Sequence, residues 1–170
     1  MYKPFEEMPG FARLWIYQAN RKFTPANRSN VESALMQLCH EWSAHGTPLH
    51  TSFKIEFEQF VILTVDERAA GASGCSIDGS VRLLKELQHA AGLDFFDRQQ
   101  VAFVKGNAIS LFPVSELKTL FETHVLSGDQ ITFNNTLTTK AEWEQSWKIA
   151  VKDSWLSRYL PKTAGVQQSQ

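Results

Sequence analysis

At 170 residues, with 43% hydrophobic and 21% charged residues, the chain is sized for one domain that buries a core without covalent staples. Its formal net charge of -1 excludes the basic footprint of a nucleic-acid binder. Its two cysteines, Cys39 and Cys75, exclude a disulfide scaffold and a clustered zinc site.

Residues 1–10 form an irregular lead-in broken by Pro4, Pro9 and Gly10, without the apolar stretch of a signal peptide. Residues 12–18, ARLWIYQ, predict a strand with Leu14 and Ile16 on one face and Trp15 and Tyr17 on the other. A helix follows. Thr24 can cap it with Pro25 in the first turn, and Ser29 with Glu32 offers a capping box one turn later. The stripe Val31, Ala34, Leu35, Leu38, Cys39, Trp42 keeps helical spacing, and Gly46 is expected to stop the helix. Residues 51–57 alternate, with Phe53, Ile55 and Phe57 against Ser52, Lys54 and Glu56, as a half-buried strand does. A tight reversal at Glu58-Gln59 leads into residues 60–65, FVILTV. Both faces of that run are apolar except at Thr64, so it should be a central strand covered twice.

A loop over residues 68–74 precedes a second helix, residues 76–91, whose stripe is Ile77, Val81, Leu84, Leu87 and Ala91, with Gly92 at its end. Strands over residues 101–104 and 108–112 flank Lys105-Gly106-Asn107, a hairpin signature. Pro113 and Ser115 open a third helix, with Val114, Leu117, Leu120, Phe121 and Val125 inward, and residues 130–133 read as a short strand. Thr139-Lys140-Ala141-Glu142 is a second capping box, leading Trp143 and Trp147 at helical spacing. A last helical turn or two follows Asp153, and residues 161–170 read as a disordered tail. No apolar run reaches the roughly 20 residues of a membrane helix, so a soluble protein of a reducing cytoplasm is expected.

The element order as far as residue 104, β-α-β-β-α-β, is the split pattern of ferredoxin-like folds. The expected architecture is a single α+β domain over residues 1–160. It has a ferredoxin-like core, an added hairpin strand and a Trp-rich helical C-terminal extension. Helices would cover one face of the sheet. Phe60 and Ile62 need cover on the other; the segment 143–155 is the candidate, and a homodimer face the alternative.

Chemistry is expected where the apolar strand hands over to the second helix. Cys75 stands at a helix start, where the positive end of the macrodipole favours a thiolate. Ala72, Ser73 and Gly74 leave room beside it, and Ser73, Gly74 and Ser76 form a candidate anion-binding loop. Arg82 follows Cys75 one residue too late for a phosphatase loop. His45 or His50 can supply a base. The alternative is a small buried cysteine that packs a helix start. Asp66, Glu67 and Asp78 are the carboxylates that can gather round the loop and bind magnesium; otherwise they are turn and first-turn acids. The residues name no cofactor.

Three fragments resemble pieces of an ABC-type ATPase. Residues 61–67, VILTVDE, resemble a Walker B strand, whose acidic pair in that family holds magnesium and polarises the attacking water. Gly74 and Gly79 have P-loop glycine spacing, and residues 126–130, LSGDQ, differ at one position from the LSGGQ signature. Ser80-Val81 stands where a P-loop has Lys and Ser/Thr. Gly79 falls inside the predicted helix. LSGDQ closes a helix, whereas the signature opens one, and the order of the three along the chain differs from the family's. Across nearly the whole chain, MPGFARLWIYQANRKF, WSAHGTPL, ASGCSID, FDR, FNN and KDSW resemble a small bacterial family of about this length. Its members often carry the label ABC transporter ATPase. The resemblance implies that label and no catalytic residues.

The expected function is therefore a soluble, cytoplasmic, non-catalytic binding or interaction protein. Its partner would be a small molecule or a protein, not a nucleic acid, and a homodimer is one of its possible forms. The alternatives are a thiol-dependent enzyme or redox sensor centred on Cys75, and a nucleotide-binding ATPase as the label states.

Overall fold

The computed structural model describes residues 1–71 and 74–162, without the side chains at 74–76. A short 3-10 turn, Phe5–Glu7, precedes β1 (Arg13–Gln18). The next element, α1 (Pro25–Glu41), starts at Thr24 and not at the later box: the Thr24 side chain accepts from the Asn27 N–H at 3.2 Å, with Pro25 as the first helical residue. Its stripe holds, with Val31, Leu35 and Cys39 fully buried. The helix ends at Glu41, and Gly46 does not stop it. Instead β2 (Ser43–Ala44) and β3 (Thr47–Pro48) form a hairpin whose two turn residues, His45 (φ 50°) and Gly46 (φ 78°), are both left-handed. Glycine serves either role, and the twist of a two-residue hairpin demands this one.

A second hairpin joins β4 (His50–Glu56) to β5 (Phe60–Asp66). Phe57, expected at the end of a strand, is instead a turn residue: Phe57 and Glu58 both have φ of 54°, and the Gln59 N–H bonds to the Glu56 carbonyl at 3.0 Å. Then come α2 (Gly74–Ala91), β6 (Gln100–Lys105) and β7 (Ala108–Pro113). The β6–β7 turn has Gly106 at φ 63°, and Asn107 is not left-handed; glycine in the first central position is what a type II′ turn requires. A 3-10 turn, Val114–Glu116, leads into α3 (Leu117–Glu122), shorter than expected. His124 (φ 59°) redirects the chain there, so that Leu126 is buried and Val125, expected inward, is 59% exposed. The chain continues through β8 (Ile131–Phe133), α4 (Lys140–Ser146) and β9 (Lys148–Ala150), and then the 3-10 turns Val151–Asp153 and Trp155–Tyr159.

These elements form two compact units: Met1–Arg98 with Asn134–Trp147, and Gln99–Phe133 with Lys148–Gln170. The first has the antiparallel sheet β1-β5-β4. All seven residues of β5 are buried, as its composition demands. On one face Val61, Leu63 and Val65 pack with Val31 and Leu35 of α1 and Leu84 and Leu87 of α2. On the other, the Trp147 ring meets Phe60 edge-on at 5.1 Å, and Trp143 meets Phe5 at 5.3 Å. The expected aromatic cover is thus present in Trp143 and Trp147. Trp155 is not part of it, lying in the second unit and 49% exposed.

The chain is α+β, and the strand order with β5 inside is that of the first three ferredoxin-like strands. The fourth departs. β6 does not join β1 but belongs to a separate sheet, β7-β6-β8-β9. Its tight turn gives it a neighbour close in sequence, whose pairing closes little loop entropy. Along β1 lie residues 138–140 instead: the Leu14 N–H bonds to the Thr138 carbonyl at 2.8 Å and the Lys140 N–H to the Ala12 carbonyl at 3.0 Å. The second unit has its own core of Val101, Phe103, Leu117, Phe121, Leu126, Val151 and Leu156. No described helix is long and apolar enough to cross a membrane. Residues 163–170, most of the expected tail, lie outside the described residues.

Candidate functional site

The buried strand β5 delivers Asp66 to the end of the sheet, and α2 begins eight residues later at Gly74. The backbone of Cys75 is in the first turn of that helix. Its side chain and that of Ser76 lie outside the described residues, as do Ala72 and Ser73, and with them the thiol and the expected Ser73–Gly74–Ser76 anion loop.

Asp66 itself is well defined and only 4% exposed. Both of its carboxylate oxygens stand 3.0 Å from Nε of Arg68, Oδ1 also accepts the Arg68 backbone N–H at 3.1 Å, and Oδ2 accepts from Nη2. These bonds from Arg68, side chain first, hold the Asp66 carboxyl below the usual carboxylate range against the opposing effect of burial, and the charge of His50 acts in the same direction. His50 stands directly across from Asp66 in the β4–β5 register. Two residues singled out separately in the sequence are therefore neighbours here.

The guanidinium of Arg68 is largely exposed and lies 4.9 Å above the ring centre of Phe11, itself 58% exposed. A second arginine repeats the arrangement. Arg13 contacts Glu67 at 3.3 Å and stands 4.8 Å above the Trp15 ring, which stacks on Trp42 at 6.0 Å. The end of the first sheet thus presents two arginines, each steadied by a carboxylate and an aromatic ring. The sequence held no signal for this, because Phe11 and Arg68 are far apart along the chain and each alone looks like a surface residue.

The remaining candidates disperse. His45 is an exposed hairpin-turn residue and Asp78 is exposed on α2. Among the described residues no three His, Cys, Asp or Glu side chains gather as a metal site would require, so Asp66, Glu67 and Asp78 do not form one; Asp66 and Glu67 face arginines instead. Cys39 is fully buried and its carbonyl accepts from Thr51 Oγ1 at 2.7 Å; burial pushes its thiol up to about 11.

The ATPase-like fragments have structural employment. Gly79 is interior to α2. In the LSGDQ stretch, Leu126 is core, a Cβ on Gly128 would stand 3.3 Å from Leu160, Asp129 pairs with Lys152 at 2.7 Å, and the Gln130 side chain bonds to the Val104 carbonyl. That stretch lies between α3 and β8 and opens no helix. Two other fragments noted in the sequence also have structural roles. In FNN, Asn135 accepts from the Trp147 indole N–H at 3.0 Å, and in KDSW, Ser154 caps the last 3-10 turn through the Leu156 N–H at 3.1 Å.

A second cluster went unnoticed in the sequence. Lys54 and Lys140 stand 5.5 and 5.6 Å from the Phe5 ring centre, with Lys54 also 5.7 Å from Trp143. Lys140 is buried apart from its 2.8 Å bridge to Glu144, and Lys54 lies 3.5 Å from both Glu6 and Glu56. With each ammonium already matched by carboxylate and ring, this cluster is packing. No family model, no curated protein and no solved structure matches the chain.

Proposed function

We propose that the chain is a cytoplasmic, non-catalytic binding protein that takes an anionic group at the end of its first sheet, on Arg68 and Arg13. One observation carries this reading: the Arg68 guanidinium is clamped by the buried Asp66 and laid over the exposed ring of Phe11. Nε and Nη2 face Asp66, so the opposite edge of the fork points away from it. Such a fork matches a carboxylate or phosphate. The clamp removes side-chain freedom before binding, which lowers the entropic cost of association. The ring offers a flat apolar seat next to the charge.

The test is a thermal-shift titration with inorganic phosphate, and separately with ATP and magnesium. A ligand near 100 Kd stabilises by about 2.7 kcal/mol. The expected result is a shift in wild type that Arg68→Ala removes and Phe11→Ala reduces. No shift with either probe overturns the reading. A shift with ATP that survives Arg68→Ala transfers support to the nucleotide-binding ATPase of the resembling family.

A second reading is a thiol enzyme or redox sensor, favoured by the backbone position of Cys75 in the first turn of an 18-residue helix. Thiol titration against pH separates the two, with the buried Cys39 as internal reference. Reaction of Cys75 well below the free-thiol range of about 8.5 supports this reading, and ordinary reactivity removes it.

A further inference from the structure

We infer that β7 is the surface through which two copies of this chain associate, edge to edge and antiparallel. β7 is the outer strand of the second unit's sheet. The two-residue turn makes Lys105 and Ala108 a hydrogen-bonded pair. Antiparallel alternation then turns the N–H and C=O groups of Ala108, Ser110 and Phe112 toward β6 and those of Ile109 and Leu111 outward. Among the described residues no strand pairs with that outward side and no backbone group bonds to it.

The other edges are managed. Residues 138–140 lie along β1, the N-terminal residues bond to Thr51 of β4, and β9 is three residues long and begins with Lys148. β7 has none of these protections. Its sequence, AISLFP, carries no charge, and its one proline is the last residue.

The strand is its own complement. A two-fold axis at Ser110 sets Ile109 opposite Leu111 of the second copy and Leu111 opposite its Ile109, so the outward N–H and C=O groups of both residues are all bonded. Sliding the axis to Leu111 sets Ile109 opposite Pro113, which has no N–H to give, so the longer overlap gains no bond. No like charges meet, because the strand has none. A foreign strand would need side-chain complementarity to be recognised, whereas this pairing needs only backbone symmetry. In this register the two Ser110 side chains face each other across the axis.

Sedimentation velocity on the full chain over a concentration series tests this. The expected result is a reversible monomer–dimer equilibrium. Ser110→Lys sets like charges directly opposite and raises the dissociation constant by about fivefold, roughly what such pairs cost. Ser110→Glu does the same, and an equimolar mixture of the two variants restores association. If the variants fail to fold by circular dichroism, hydrogen exchange on the wild type decides: the amides of Ile109 and Leu111 become slower as concentration rises. A chain that stays monomeric throughout the series overturns the inference. So does a dimer in which these two amides exchange no more slowly than in the monomer.

Discussion

In the first unit, backbone from outside the sheet lies along both outer strands. Leu14 and Ala12 bond to residues 138 and 140, and Thr51 receives the Lys3 N–H at 2.9 Å while its own N–H reaches the Met1 carbonyl at 3.0 Å. In the second unit, the backbone bonds outside the strands fasten loops to one another, as Val151 to Gln130 and Lys152 to Gly128, and side chains add Gln130 to Val104, Asp129 to Lys152 and Ser154 to the turn it opens. Its β7 edge is left bare among the described residues. Backbone closure makes the first sheet a finished object, with the proposed anion site at its end, where the arginines stand. The second sheet keeps a lateral surface on which another strand can add.

The largest test of this contrast is a pair of cavity mutations. Leu63 and Leu156 are both fully buried, one in the central strand and one in a terminal 3-10 turn. Leu→Ala at such sites costs about 2–5 kcal/mol, depending on how far the site collapses. Leu63→Ala, held between a sheet and two helices, should fall at the upper end of that range, and Leu156→Ala at the lower. Urea denaturation measures both. Equal losses would mean that the second unit is packed as rigidly as the first.

The sheet that makes Leu63 costly to remove was also the part most legible in the residues. The run at residues 60–65, apolar on both faces except at Thr64, leaves β5 no alternative to a central strand, and the Val31–Leu35–Cys39 spacing leaves α1 no alternative to a helix. What closes the sheet was not legible. Residues 138–140 bond to β1 through N–H and C=O groups that every residue carries, so no side chain announces them. Gly46 was ambiguous because glycine ends helices and also turns hairpins. The inward stripe after α3 shifted from Val125 to Leu126 because His124 is left-handed, which spacing cannot foresee. At the candidate site, Asp66 and His50 were visible singly. Their pairing, and the Arg68–Phe11 stack, depend on register and on contacts remote in sequence.

The ion pairs of the two units differ in the same sense as their edges. Asp66 is buried and meets Arg68 with both oxygens, whereas the Asp129–Lys152 pair stands in solvent. Asp66→Asn should cost about 1–3 kcal/mol, the loss expected when a charged hydrogen-bond partner is removed, discounted for the solvent exposure of Arg68. Asp129→Asn should change stability too little to measure. The pH dependence follows from sign. The Asp66 carboxyl is held below its unfolded value, so its contribution is complete above the usual carboxylate range and is lost as pH falls through the lower folded value. Acid unfolding of the wild type should therefore be steeper than that of Asp66→Asn. Identical acid limbs would show that Asp66 is no better stabilised in the folded chain than in the unfolded one.

The smallest effect compares two buried threonines by the same isosteric change. Thr132 Oγ1 in the second unit donates to the Ala102 carbonyl at 2.8 Å. Thr64 Oγ1 in β5 is equally buried, faces Ser52 across the strand pair, and has no hydrogen-bond partner among the described residues; nor does Ser52 Oγ. Replacing a bonded buried hydroxyl should cost about 1 kcal/mol, while replacing an unbonded one should be neutral or slightly stabilising, because its desolvation is no longer carried. Thr132→Val is therefore expected to lower the urea midpoint and Thr64→Val to leave it or raise it. A loss at Thr64 as large as that at Thr132 would mean that its hydroxyl is satisfied in solution, most simply by a buried water shared with Ser52, since a water needs two or more polar partners to persist there.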